Sequence, residues 1–339
     1  MKKIYIITGA AGHLGNNIIR MLEKEDVEIR ALVLPNDNIK SLEDTNAIIY
    51  YGDVTQKETL NQIFEHKNNN DLYVIHAAGI VSIASKYNSR VYKVNVEGTK
   101  NIVDIALQNK INKFIYVSSV HAIPETAGII KETDKFDPSK VEGLYAKTKA
   151  EATAYVLSKV KVGLPACVVH PTGIIGPNDY GRGHLTQLII DYLEGKLTAC
   201  VKGGYDFVDV RDVADGIINA IKYGEVGQCY ILSNQYITIS NLLNELSKVS
   251  GKQKIKTILP LWVAKLTAPL AETYYKLLKQ PPLYTKYSLY TLNSNANFSK
   301  EKAIKYLKYQ NRDLDDTLKD TIKSLVKQKR LPKFTAKKH

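Results

Sequence analysis

Residues 6–15 read IITGAAGHLG, a run of apolar and β-branched side chains that passes into glycines at positions 9, 12 and 15. Glycine contributes nothing to a core and loses more chain entropy on folding than any other residue, so three within seven positions demand a reason. A strand that enters a helix through a glycine turn supplies one. It gathers free backbone N–H groups and the positive end of the helix at one point, which favours a bound pyrophosphate. Side chains at Gly9, Gly12 or Gly15 would block the turn, the incoming phosphates or the contact of helix with strand. The spacing is Gly-x-x-Gly-x-x-Gly rather than Gly-x-Gly-x-x-Gly, so the turn alone leaves a purely structural reading open.

Further apolar runs repeat the first. Residues 3–8, 27–34, 47–54, 72–77, 114–118, 166–170 and 229–232 are predicted strands, and segments such as 16–24 and 91–108 carry apolar residues at helical spacing. The strands are continuously apolar, which requires a parallel sheet covered by helices on both faces. The fold class is therefore α/β, a doubly wound parallel sheet (Rossmann fold). From Tyr236 the texture changes to helical segments, Pro260, the pair Pro281 and Pro282, and the tyrosines Tyr284, Tyr287 and Tyr290, which gives a smaller, mainly helical C-terminal lobe. The expected organisation is a dinucleotide-binding domain at 1–177, rejoined by about 206–235, a substrate-binding lobe at 178–205 and 236–326, and a flexible basic tail at 327–339. The lobe closes over the carboxyl edge of the sheet, where ligands of such folds bind.

At 339 residues, 44% of them hydrophobic, the chain is long enough for this plan. A net charge of +13 suggests nucleic acid until it is located: residues 301–339 hold 12 Lys/Arg against 5 Asp/Glu, more than half of the excess. The body is only mildly basic, and a nucleic-acid partner is not expected. No stretch approaches the roughly 18 apolar residues of a membrane span, and Met1, Lys2 and Lys3 run straight into a strand. This reads as a cytoplasmic protein with no stable membrane insertion. Cys167, Cys200 and Cys229 are widely spaced and odd in number, so neither a disulfide framework nor a metal site is indicated.

The chemistry lies in YAKTK at 145–149. Tyr145 and Lys149 stand four apart on a segment that reads as helix up to Gly163 and Pro165, so they share one face. A free phenol ionises near pH 10, but a neighbouring ammonium and an oxidised nicotinamide would both favour the phenolate and fit Tyr145 to exchange a proton with a substrate oxygen. Ser119, which ends YVSS, would hydrogen-bond the same oxygen. Asp53 and Val54 at the end of the third strand offer a carboxylate to the exocyclic amine of an adenine. Ala77, Ala78 and Gly79, after His76 at the end of the fourth, let a cofactor lie against the backbone. Each feature alone has an ordinary structural reading; together with the glycine turn they favour the functional one.

In these motifs the sequence resembles the extended short-chain dehydrogenase/reductase family, of the NAD-dependent epimerase/dehydratase type, over about residues 3–235. Thr8 to Gly15, with Ala11, His13 and Leu14 between the glycines, is similar to the family's Thr-Gly-x-x-Gly-x-x-Gly motif, and Asn95-Val96-Glu97-Gly98-Thr99 to its characteristic helix segment. The resemblance implies that Asp53 and Val54 contact adenine, that Ser119, Tyr145 and Lys149 form a catalytic triad supported by Asn95, and that Tyr145 is the acid/base. It implies that Lys149 also binds the nicotinamide ribose, and that Pro171 and Thr172 in HPTG hold the nicotinamide carboxamide. It further implies a homodimer, formed by pairing the helices around Asn95 and Tyr145 into a four-helix bundle.

Departures from the pattern bear on the substrate. Nucleotide-sugar epimerases and dehydratases of the family usually begin the segment YDFVDVRDVADG with an arginine that holds phosphates; here the residue is Tyr205, with Arg182 and Lys202 as the substitutes on offer. SSVHAIP lacks the Val-Tyr-Gly of the epimerases, and HPTGIIGP is nearer to dihydroflavonol reductases and 3β-hydroxysteroid dehydrogenases. The leading expectation is an NAD(P)-dependent oxidoreductase that moves a hydride between nicotinamide and a secondary alcohol or carbonyl of a small, apolar substrate, with the stretch 258–271 and the nearby tyrosines as an apolar wall. His121, Tyr180, Arg182, His184 and Tyr205 are the expected substrate contacts, Gly181 and Gly183 fitting a mobile cover. A nucleotide-sugar epimerase or dehydratase is the alternative, and a dinucleotide-sensing regulator is opposed by the Tyr145–Lys149 pair. After the second strand Leu34 selects neither cofactor; Asp37, if turned inward, favours NAD, while NADP through Lys40 stays open.

Overall fold

The computed structural model describes residues 2–66, 70–83, 87–181, 183–268 and 285–331. The seven expected strands are present as β1 (Lys3–Thr8), β2 (Glu28–Val33), β3 (Ile48–Tyr51), β4 (Asp71–His76), β5 (Lys113–Val117), β6 (Ala166–Pro171) and β10 (Cys229–Leu232). They form one parallel sheet in the order β10-β6-β5-β4-β1-β2-β3. Along β1 the reason for the continuous apolar run is visible: Ile4 and Ile6 enter the core on one face, Tyr5 and Ile7 the core on the other. Helix α1 (His13–Leu22) and the helix Val210–Tyr223 pack together over the second face. Helices α2 (89–108) and α3 (Leu144–Val160) cover the first, burying Ile102, Val103, Ala150 and Val156.

α1 begins three residues earlier than the expected 16–24, immediately behind Gly12, because the turn itself starts the helix. Within α2 the segment Lys93–Gly98 is a π-helical turn, a local widening that such helices show most often at functional sites. Chain order reverses between β1 and β4, so the sheet's carboxyl edge opens a crevice there. Register places Thr8 beside His76, and His76 beside Tyr116, along that edge.

The remaining chain adds β7 (Gly173–Ile175), β9 (Gly204–Asp209) and β11 (Gln235–Thr238) as a three-stranded sheet, and β8 (Ala199–Val201) paired with β12 (Thr257–Leu259). Its C-terminal part is helical, at Ile239–Ser250, 261–268, Lys286–Asn293, Glu301–Leu307 and Leu314–Lys327. The basic tail is not loose from 327 onward: Leu331 is buried, and Arg330 Nη1 donates to the Asp179 carbonyl at 2.7 Å. Residues 332–339, together with Arg182, Pro281, Pro282 and Tyr284, lie outside the described residues. Among the described residues no helix is long and apolar enough to cross a membrane, and no group of His, Cys, Asp or Glu is placed to hold a metal ion.

A Cβ on Gly15 would stand 2.2 Å from the Gly9 carbonyl oxygen and 2.8 Å from Ala10 Cα, backbone on both counts, whereas one on Gly12 would stand 3.1 Å from that oxygen. Gly15→Ala is therefore expected to cost about 2–3 kcal/mol and Gly12→Ala less than half of that, read by urea unfolding of both variants. Equal costs would contradict this account of the turn.

Candidate active site

The turn after β1 has the shape its glycines suggest. Gly9 adopts φ +67, and a Cβ there would lie 2.8 Å from the Ala78 backbone, so β1 and the chain leaving β4 close to contact. Gly12 caps α1, whose first turn has neither a side-chain cap nor an acidic residue. The leading N–H groups are thus left for the oxygens of a ligand, and the cradle that a Cβ would fill fits the pyrophosphate of a dinucleotide. Ala11 fixes the turn from the side, its carbonyl accepting from Ser41 Oγ at 2.9 Å. Leu14 packs on the core beneath it. His13 Nε2 meets the Pro177 carbonyl at 3.0 Å and Asn17 Nδ2 donates to the same oxygen at 3.2 Å, which brackets α1 to the loop after β7.

A buried chain of hydrogen bonds then crosses the strand ends. The Ala78 N–H donates to Thr8 Oγ1 at 3.1 Å, and Thr8 donates to His76 Nδ1 at 2.7 Å. Thr99 Oγ1 donates to the Asn95 carbonyl at 2.7 Å, so it accepts from His76 Nε2 at 2.9 Å. These partners specify the Nε2–H tautomer. Burial, with Lys149 as a minor contributor, holds the His76 pKa down to about 3, so the ring is neutral.

Asn95 lies in the π-helical turn, where it accepts from the Ile80 N–H at 2.8 Å and donates to the Ile80 carbonyl and to Thr148 Oγ1, each at 3.1 Å. Both ends of its amide are occupied, so it acts as a positioning residue that joins α2, α3 and the chain behind β4. Between them sits Gly79, where a Cβ would be 3.3 Å from Asn95 Oδ1 and 3.4 Å from Lys149 Nζ. Ala77, Ala78 and Gly79, Asn95 and Lys149 therefore share one neighbourhood.

Lys149 lies one helical turn behind Tyr145 on α3. Its Nζ donates to the Val117 carbonyl at 2.8 Å and faces the Tyr116 ring at 4.9 Å, and burial lowers its pKa to about 7. Burial pushes the Tyr145 phenol up to about 12, opposed by the Ser119 hydroxyl. The expected lowering of Tyr145 by Lys149 is not made here: lacking an anion, the buried ammonium takes a carbonyl and an aromatic face instead. Ser119 follows β5, its Oγ accepting from the His121 N–H at 3.2 Å and its carbonyl bonded to His170 Nδ1 at 2.9 Å.

Beyond Tyr145 the surroundings are aromatic. The His121 ring lies edge-on to Tyr145 at 6.0 Å, stacks on Tyr205 at 5.5 Å and meets Tyr287 at 6.2 Å. The Tyr205 hydroxyl is 3.1 Å from His121 Nε2, and its ring contacts Phe207 and Phe298. Desolvation holds the His121 pKa down to about 4, so this ring is neutral too. Tyr287 comes from the helix Lys286–Asn293 and lies over Gly143, where a Cβ would be 2.2 Å from its ring. Among the described residues no cation takes part in the ring contacts or hydrogen bonds of His121 and Tyr205.

Of the expected substrate contacts, His121 and Tyr205 are thus brought to Tyr145. Tyr180 and His184 make no contact with this cluster among the described residues: Tyr180 acts on the charge of Arg20 of α1, and His184 begins the helix His184–Leu193. The described part of the stretch 258–271 turns its large apolar side chains away from the rings around Tyr145. Through 268, Ile258, Trp262 and Leu266 face solvent and the helix packs inward through Ala264 and Ala268; 269–271 lie outside the described residues. Tyr205, Tyr287 and Phe298 lie around His121 instead; Tyr287 belongs to the tyrosine cluster visible in the sequence, whereas Phe298 carried no signal, because its contact with Tyr205 spans a long separation in sequence.

At the far end of the crevice Asp53 Oδ1 accepts from the N–H and Oγ1 of Thr55, both at 2.8 Å, which closes the turn after β3 and leaves Oδ2 without a partner among the described residues. Val54 is buried against Gly98, where a Cβ would be 2.6 Å from Val54 Cγ2. Asp37 is exposed rather than turned inward, in a turn closed by its N–H on the Leu34 carbonyl. Pro171 ends β6, and Thr172 Oγ1 donates to Asp206 Oδ1 at 2.6 Å.

The folded chain releases the Lys149 proton near pH 7 and the unfolded chain near 10.5, so the unfolded state holds more protons between those values and stability rises with pH across that window. Lys149→Met should remove this rise, measured as urea-unfolding free energies at several pH values between 7 and 10; equal slopes for both proteins would contradict it. Thr99→Val leaves His76 Nε2–H without an acceptor and is expected to cost about 1–3 kcal/mol in the same assay.

Residues 5–232 match the model of the NAD dependent epimerase/dehydratase family. The chain is 27% identical over 294 residues to a protein of Methylococcus capsulatus named sterol demethylase protein B, covering 85% of this chain and 88% of that one. It is 29% identical over 347 residues to 3 beta-hydroxysteroid dehydrogenase type 7 of Mus musculus, covering 91% of each. The crystal structure of gox2253 superposes with a TM-score of 0.83 at 29% identity, over 97% of this chain and 99% of that one. With a strand–glycine turn–helix cradle at the switch point of a seven-stranded parallel sheet, the chain belongs to the NAD dependent epimerase/dehydratase family, as an enzyme of the extended short-chain dehydrogenase/reductase type that depends on NAD(P).

Proposed function

We propose that this enzyme interconverts a secondary alcohol and its ketone on an apolar ring-bearing substrate. The observation that carries the reading is the neutral aromatic wall around Tyr145, built by His121, Tyr205 and Tyr287, in which Tyr205 stands where nucleotide-sugar enzymes place a phosphate-binding arginine. Such a wall gains by burying apolar surface, and its rings offer a diphosphate no cation. The names of the two relatives, one a sterol and one a hydroxysteroid enzyme, support the same class.

When bound, the nicotinamide supplies or takes up the hydride. The turn at Gly9, Gly12 and Gly15 holds the pyrophosphate, Ala77 to Gly79 form the backbone wall beside it, and Asp53 Oδ2 takes the adenine amine. Lys149 takes the nicotinamide ribose hydroxyls. Pro171 and Thr172 hold the carboxamide through their backbone, the Thr172 hydroxyl being committed to Asp206. Ser119 orients the substrate oxygen. Tyr145 accepts the alcohol proton in oxidation and returns it in reduction; the Ser119 hydroxyl, and the positive charge that an oxidised nicotinamide would bring, favour the phenolate against burial.

In this reading 178–205 and 236–326 serve the substrate and 1–177 with 206–235 the cofactor. A homodimer pairs α2 and α3, whose outer faces are already linked by Tyr92 to Glu151 at 3.0 Å and Tyr155 to Asp104 at 2.6 Å. Three free, buried thiols, Cys167, Cys200 and Cys229, suit the cytoplasm.

The test follows nicotinamide absorbance while NADH or NADPH is offered with steroid-like and smaller alicyclic ketones. Net oxidation is expected, and Tyr145→Phe should lower kcat by about 10²–10⁴-fold. Conversion of a nucleotide sugar with no net change in cofactor would overturn the proposal.

A further inference from the structure

The helix 261–268 is built inside out. Its inward face carries two small residues, Ala264 and Ala268, both fully buried against Leu289, Val201 and Leu261. Its outward face carries the large apolar side chains, Trp262 at 70% and Leu266 at 72% exposure, with Ile258 of β12 at 48% just before them. Packing alone would place tryptophan and leucine inside and leave alanine or polar residues outside. Trp262 and Leu266 are one turn apart and share a face.

Charge adds a second, independent observation. Residues 246–271 contain five lysines and no Asp or Glu. Lys254, Lys256 and Lys265 of this segment are exposed, and none forms an ion pair among the described residues. A segment that joins an exposed tryptophan and leucine to exposed lysines, and whose sequence from 246 to 271 holds no acid, matches the interface of a negatively charged bilayer, where the indole sits at headgroup level and the ammonium groups meet lipid phosphates.

We propose that this face docks the enzyme on the surface of an anionic lipid bilayer, without crossing it. The buried side of the helix rests on Leu289, which lies on the same helix as Tyr287 of the aromatic wall, so docking would hold that helix close to the lipid surface. There an apolar alcohol could pass from the membrane without crossing water; this consequence rests on the function proposed above, while the docking itself does not.

Trp262 is the only tryptophan of the chain, so intrinsic emission reports this face alone. The full-length protein is titrated with vesicles of phosphatidylcholine, and with vesicles of phosphatidylcholine and phosphatidylserine. A blue shift with the mixed vesicles and little or none with the neutral ones is expected, and each of Lys254→Gln and Lys256→Gln should lower the partition coefficient by about fivefold. Trp262→Ser with Leu266→Ser, read by co-sedimentation, should abolish binding while thermal unfolding stays unchanged, since both side chains are exposed. No shift with either vesicle, equal shifts with both, or a shift that grows with protein concentration in the absence of lipid would overturn the proposal, the last in favour of a second copy of the chain. No substrate or cofactor enters the measurement. Failure to dock therefore leaves the oxidoreductase reading standing, and docking without turnover of any ketone overturns that reading alone.

Discussion

The close approach of β1 and β4 at their carboxyl ends governs the rest of the molecule. Gly9 comes within contact of the Ala78 backbone, and the polar groups enclosed by that contact are satisfied through Thr8, His76 and Thr99 as far as the Asn95 carbonyl. A buried imidazole is tolerated there because both nitrogens have partners and the ring stays neutral. The same chain of bonds sets the depth of the π-helical turn. Asn95 then places Ile80 and reaches Thr148 on α3, the helix that bears Tyr145 and Lys149. Cradle and acid/base pair are thus held by one set of contacts, although 136 residues separate Gly9 from Tyr145.

Burial shapes the electrostatics of the site more than any single pair does. It moves the Tyr145 phenol up and the Lys149 ammonium down, so each is pushed toward its uncharged form. A charge brought by a bound dinucleotide consequently has a large effect in this low-dielectric place, and the reacting groups are poised to respond to it. His121 is kept neutral by the same desolvation and serves as a flat surface between Tyr145 and Tyr205, not as a cation. A wall of this kind discriminates by shape and by the absence of charge.

Much of the plan was legible because it is local or periodic. The seven apolar runs became the seven strands of the sheet, since a strand buried on both faces admits no polar alternation. The glycines at 9, 12 and 15 were legible because each is needed within a single turn, and Tyr145 and Lys149 because their spacing is that of one helix. Other features were not. Asp53 could be seen as a carboxylate at a strand end, but the commitment of its Oδ1 to the Thr55 turn depends on how β3 ends. The stretch 258–271 was visible as apolar, yet hydropathy carries no direction, and the packing of two alanines on Leu289 turned Trp262 and Leu266 outward.

By itself, then, the sequence determined the layered α/β plan, the glycine turn and the placing of Tyr145 and Lys149 on one helix face, all of which follow from patterns a few residues long. Only the tertiary structure decided which rings surround Tyr145, where the Lys149 ammonium points and which face of the helix 261–268 meets solvent. Those outcomes depend on contacts between residues far apart in the chain, such as Tyr287 over Gly143 and Tyr205 on His121. Their geometry is set by how the strands and helices pack, which no local spacing records.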